Sequence, residues 1–270
     1  MKGLKAGGSS NHRWYFFHLA GLCFATAMRL VPYRRRFGAA ILIARALVPF
    51  ISRTQAFREQ RKGNVDSARE IACHFILNTL TKNGIEFAPV MIVEGYENLE
   101  SAMAEGKGVL GISPHTALSL LLVRFFHDAG LDPIVIAADP EMRISGTTLT
   151  AQTLLPSQTF LVTTRSKLRE GKLVLGMPDR AEPHEGRTVD FDTANGRIII
   201  ATALIQVAAR CGANVIFLKV QAEKRGIVAT VASPAQASVG SRDALTKDFI
   251  EFVRAHVAAR APLAGEHASQ

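Results

Sequence analysis

The sequence predicts an α/β fold, with a central, mostly parallel mixed sheet flanked by helices and a pair of apolar, basic helices ahead of it. Three observations carry that expectation. From about residue 90 to residue 260, apolar runs of strand length alternate with amphipathic stretches of helix length. Of the 270 residues, 48% are hydrophobic and 20% charged, so the chain can bury a large core. The basic excess is confined to one end: residues 1–62 hold 12 of the 32 Lys and Arg but one of the 23 Asp and Glu, leaving +11 there and −2 elsewhere.

The chain divides accordingly into a tail (1–12), a membrane-associating helical segment (13–64), an α/β domain (65–262) and a second tail (263–270). The first tail is rich in Gly, Ser and Lys and is expected to be disordered. Two apolar runs follow, "RWYFFHLAGLCFATAM" (13–28) and "RFGAAILIARALVPFI" (36–51). Each is shorter than the ~20 residues a transmembrane helix needs. Aromatic residues Trp14 to Phe17 sit beside arginines, a combination suited to the headgroup layer of an anionic bilayer. A nucleic-acid-binding arm would be polar between its charges, so that partner is not expected. The competing reading is two ordinary buried helices joined by a solvated Arg turn.

Within the domain, Asp66 is positioned to cap a helix from Ser67 to Lys82, with Ile71, Phe75, Ile76 and Leu80 on one face and Gly84 past its end. Strands are expected at 90–95, 109–113, 133–138, 159–163, 173–177, 214–220 and 226–232, with 187–191 an edge strand. Helices are expected after the first strand, at 116–129, around 143–154, at 196–211 and at 243–260. The cysteines, Cys23, Cys73 and Cys211, lie apart in apolar contexts and read as small core residues in a reducing compartment.

"GKGVLG" matches G-x-G-x-x-G at Gly106, Gly108 and Gly111 but precedes a strand, whereas a dinucleotide fingerprint follows one and opens a helix. The serines lack the nucleophile-elbow pattern, and no zinc-protease or clustered Cys/His spacing is present, so no metal ligand set and no redox cofactor is expected. His115 stands out because it follows the buried run Val109 to Ile112, and α/β sheets present ligand sites at the carboxyl ends of their strands. A helix beginning at residue 116 would place Ser119 one turn from His115, as a hydrogen-bond partner. "HDAGLD" (127–132) pairs His127 with Asp132 by spacing alone, but Gly130 interrupts it at a helix end.

Several segments, in order, resemble the lysophospholipid acyltransferase superfamily, most closely its bacterial lipid A late (lauroyl/myristoyl) acyltransferase branch. They are "FREQRKGNV" (57–65), "VEGYENLESAMAEGKGVLGISPH" (93–115), "REGKLVLGMPDR" (169–180) and "ARCGANVIFLKVQ" (209–221), after the Arg-rich apolar helices. The resemblance implies transfer of a fatty acyl chain from an acyl carrier protein or CoA thioester to a lipid acceptor, at the cytoplasmic face of a bacterial inner membrane. In that family a histidine, and an Asp or Glu after four intervening residues, act as general base and orienting acid. Here His115 matches the base, but Leu120 stands at the acid's position. Three readings follow: Asp179, which matches an Asp of the family's "PDQ"-like segment, supplies the carboxylate; His115 works alone; or the chain has lost transfer and binds lipid as an accessory protein. Arg143, Arg180 and Arg197 are candidates to hold a substrate phosphate, Arg197 from a helix start.

Overall fold

A run buried on both faces cannot alternate polar and apolar residues, and "VLGI" and "LVLG" do not. They form β2 (Val109–Ile112) and β7 (Leu173–Gly176), every residue buried. The computed structural model describes residues 22–52, 67–137, 142–144, 147–149, 152–156, 159–179, 188–193, 196–235 and 238–258. Around these two strands lie β1 (Met91–Glu94), β3 (Ile134–Ile136), β6 (Thr153–Leu154), β10 (Asn214–Glu223) and β11 (Gly226–Ala232). They form one seven-stranded sheet in the order β1-β11-β10-β2-β7-β3-β6. β10, β2, β7, β3 and β6 run parallel, while β11 is antiparallel to β10 and parallel to β1. The expected α/β class and mostly parallel sheet are therefore observed.

Helices cover both faces. One carries α1 (residues 22–29), α2 (Tyr33–Ile51), α3 (Ala68–Lys82), α4 (Tyr96–Ala104) and α5 (Leu120–Asp128). The other carries α6 (Phe160–Arg169), α7 (Ala203–Cys211) and α8 (Arg242–Ala258). β10 shows the division: Ile216, Leu218 and Val220 enter the first core, Val215 and Phe217 the second.

Several expectations are corrected. Helix α3 is capped by Ser67, whose Oγ accepts the Glu70 N–H while Glu70 Oε2 accepts the Ser67 N–H at 2.7 Å; Asp66 lies outside the described residues. Phe75 is exposed, and the buried face runs through Ile71, Ala72, Cys73, Ile76, Leu77 and Leu80. Residues 159–163 are not a strand but the start of α6, where Thr164 and Leu168, one turn apart, enter the core. The stretch 143–154 is not a helix. It holds β4 (Met142–Ile144), β5 (Thr147–Leu149) and β6, as its β-branched threonines favour. Residues 196–211 divide at Thr202: the β-branched run Ile198–Ile200 lies in β9 (Gly196–Ala201), and only then does α7 begin. β9 pairs with β8 (Thr188–Thr193) in a hairpin separate from the main sheet, so 187–191 is not its edge. Residues 117–119 form a turn, and α5 starts at Leu120.

Of the N-terminal segment, α1 and α2 are described; 13–21, 53–64 and both tails lie outside the described residues. Among the described residues no helix is long and apolar enough to cross a membrane. α2 packs Phe37, Ala40, Ile41 and Ala44 into the core beside α3, while Leu42 and Phe50 face outward.

The cysteines differ more than their sequence contexts do. All three are free; Cys73 is buried, Cys211 half-buried, and Cys23 exposed rather than in the core. Burial, with a smaller contribution from Glu70, pushes the Cys73 thiol up to about 11. A raised pKa keeps the thiol protonated at pH 8, and two units cut the reactive thiolate about 100-fold. Labelling with a maleimide at pH 8 is therefore expected to modify Cys23 first and Cys73 only on unfolding, as peptide mass spectrometry would show.

Candidate functional site

β2 and β7 are parallel neighbours whose last residues, Ile112 and Gly176, are in register. Each strand leaves the sheet through a Pro-containing step: Ser113-Pro114-His115 and Met177-Pro178-Asp179. The Ser113 N–H still donates to the Gly176 carbonyl at 3.1 Å. Pro114 then has no N–H to continue the ladder. Three residues beyond the paired ends, the chains meet again: the His115 N–H donates to both Asp179 carboxylate oxygens, Oδ1 at 2.8 Å and Oδ2 at 2.7 Å. A charge-assisted bond of this kind is about twice as strong as a neutral one. It anchors the backbone that carries the imidazole, and His115 itself is half-buried rather than sealed in the core.

The segment after His115 is held from inside. The Ser119 Oγ accepts the Thr116 N–H at 2.9 Å and donates to the Pro114 carbonyl at 3.2 Å. Its single proton being used there, the Thr116 hydroxyl 3.0 Å away acts as donor to it. From α3, His74 Nδ1 lies 2.6 Å from the Ala117 carbonyl, and because a carbonyl only accepts, the His74 proton is on Nδ1. On the other side, the Ala201 N–H donates to the Pro178 carbonyl at 2.8 Å, tying the end of β9 to the Asp179 loop. Gly176 permits this closeness, since a Cβ there would lie 2.7 Å from Leu204 Cδ1 at the start of α7.

The structure thus brings together two of the expected residues, His115 and Asp179, joined by the bonds from the His115 backbone N–H. Ser119 is displaced from its expected role: it is buried, and its hydroxyl is consumed in the turn instead of facing a substrate. Arg197 is not at a helix start. It projects from β9, exposed and ion-paired with Asp190 on β8. Arg143 lies in β4 opposite Thr148, with its side chain outside the described residues, and Arg180 is outside them altogether. Leu120, the first residue of α5, is 39% exposed and offers no carboxylate. His127 is exposed at the far end of α5 beside Asp128, and Asp132 lies beyond the turn at Gly130.

His74 was not singled out by its sequence context, a single polar residue within the run Ile71–Leu77. Of the glycines of "GKGVLG", Gly106 and Gly108 precede β2, at the end away from His115, and Gly111 lies within the strand; none opens a helix. Among the described residues no group of three His, Cys, Asp or Glu is placed to hold a metal ion. No protein-family model matches the chain, and no curated protein matches it.

Proposed function

We propose that the chain is an acyltransferase working at a membrane surface, with His115 as general base. The observation that carries the reading is the Asp179 carboxylate closed on the His115 backbone at the carboxyl ends of two neighbouring parallel strands. The acceptor hydroxyl or amine attacks the thioester carbonyl while His115 Nε2 or Nδ1 takes its proton. The new ester or amide forms as the carbon–sulfur bond breaks, and the imidazolium returns the proton to the departing thiolate. Acyl carrier protein or CoA carries the thioester, and a lipid or other amphiphile accepts the chain. Asp179 is a positioning residue: it fixes the backbone of the base, and its charge favours the imidazolium formed during transfer. The resemblance in segment order supports the same reading, as do the basic N-terminal quarter and the outward Leu22, Leu30, Leu42 and Phe50, which suit the cytoplasmic face of an inner membrane.

Leu120 favours a second reading, in which the chain binds lipid as an accessory protein without turnover. Incubating purified protein with radiolabelled acyl thioester and lipid acceptors separates the two: turnover supports the enzyme, and lipid binding without turnover the accessory role. Asp179→Asn keeps one acceptor oxygen and loses the charge. It is expected to lower kcat about tenfold with little change in KM, on the scale of a charged hydrogen bond of ~1.5 kcal/mol. An unchanged kcat removes Asp179 from the mechanism.

A further inference from the structure

Three cations from distant parts of the chain converge on one cavity. It has a volume of about 340 Å³ and is lined by Arg45 and Val48 and Pro49 of α2, Arg69 of α3, and Lys224 of the β10–β11 turn. Like charges brought together repel unless an anion lies among them. Among the described residues none of the three is paired with a carboxylate, whereas Arg225, next in the chain to Lys224, is ion-paired with both Glu94 and Glu223. The guanidinium groups are held ready by backbone carbonyls: Arg45 Nη2 donates to Glu223 O at 2.9 Å, and Arg69 Nη1 to Ala222 O at 3.3 Å. The Arg45 Nε–H is shielded from solvent and has no hydrogen-bond partner among the described residues. A buried donor left this way costs free energy that an incoming acceptor recovers.

The cavity's place in the fold identifies its ligand further. β10 continues six residues past Phe217, the partner of Ile112, before turning at Lys224, so the cavity lies at the end of the sheet that carries His115. Helix α3 joins the two, with Arg69 in its first turn and His74, about 7.5 Å further along the axis, bonded to the His115 loop. The remaining wall is apolar, and Phe50, next to Pro49, is 69% exposed on the outer face of α2 with Leu42. A free phosphate has no use for an apolar rim; a phosphate attached to acyl chains does.

We infer that Arg45, Arg69 and Lys224 form a site for the phosphate of an anionic phospholipid headgroup, which docks the His115 end of the sheet onto the bilayer. This rests on the membrane part of the proposed function and not on its acyl-transfer chemistry.

The test is co-sedimentation of the full chain with vesicles of phosphatidylglycerol and phosphatidylcholine, compared with phosphatidylcholine alone. Each neutralised cation is expected to weaken binding to the anionic vesicles about fivefold, and R45Q/R69Q/K224Q together on the order of 100-fold. Should the triple variant not fold, K224Q alone is read, because Lys224 is exposed in a turn. Anionic-vesicle binding unchanged in these variants overturns the inference. So does full release of the wild type by about 10 mM inorganic phosphate at constant ionic strength, which would make this a free-phosphate site. His115→Ala is expected to bind vesicles as wild type does. Cation-dependent binding without turnover therefore sinks only the acyl-transfer reading, and turnover with cation-independent binding sinks only this inference.

Discussion

Replacing His115 by alanine is expected to lower the acyl-transfer kcat by roughly 10²- to 10⁴-fold, the range that a positioned general base contributes. At 298 K that corresponds to about 3–5 kcal/mol of transition-state stabilisation. The effect is expected in kcat more than in KM, because the imidazole acts on the proton being transferred rather than on the bound chain. His115 is half-buried in a loop, and alanine retains the backbone N–H that bonds to Asp179. The melting temperature should therefore stay close to wild type. A variant that keeps full turnover removes His115 from the chemistry; one that loses turnover only by unfolding is exposed by its melting curve.

The largest effect on stability is expected at Gly108. Its φ is +74°, a left-handed conformation that costs a non-glycine residue about 1–2 kcal/mol. A Cβ there would also lie 2.0 Å from the Leu168 carbonyl oxygen and under 3 Å from that residue's carbonyl carbon and Cα. Those are backbone atoms near the end of α6 and have no rotamer with which to yield. The segment is pinned as well, since the Asn214 N–H donates to the Gly108 carbonyl and the Val109 N–H to Lys172 O. Gly108→Ala is expected to cost on the order of 3–5 kcal/mol, a large share of the 5–15 kcal/mol that holds a typical domain. Gly106 is the control: its φ is +68°, but a Cβ there meets open space. Gly106→Ala should cost only about 1 kcal/mol. Equal losses in the two variants, by chemical denaturation, would contradict the close approach at Gly108. The pair also tests the role of the first two glycines of "GKGVLG", which lie at the entry into β2.

Strands buried on both faces were the most legible part of the fold. β2 and β7 read correctly to within a residue because their apolar runs are continuous and stop just before Pro, whereas β10 runs three residues past the expected end at 220. Where propensity and tertiary pattern disagreed, the sequence misled. "TFLVT" is rich in β-branched residues, yet the one-turn spacing of Thr164 and Leu168 decides for a helix. Ile198 to Ile200 decide the other way, and reading them as a helix misplaced Arg197. Ser119 was misassigned for a similar reason: its helical spacing from His115 assumed a helix that starts only at Leu120.

Within the candidate site, His115 was legible from its place after a buried strand, and Asp179 through the resemblance of its segment. Their register was not, because it depends on which strands are neighbours. Nor was the contact of the carboxylate with the His115 backbone N–H, which only the folded loops bring about. Arg45, Arg69 and Lys224 carry no local pattern at all; only the packing of α2 and α3 against the β10–β11 turn assembles them.

Whether the His115 end of the sheet receives an acyl thioester is read directly by histidine carbethoxylation followed by peptide mass spectrometry. His127, exposed at the end of α5, serves as the internal reference. His115 is expected to be modified, and dodecanoyl-CoA, but not CoA, to slow its modification while His127 reacts at an unchanged rate. Modification of His115 at the same rate with and without the acyl thioester would contradict acyl-thioester binding there.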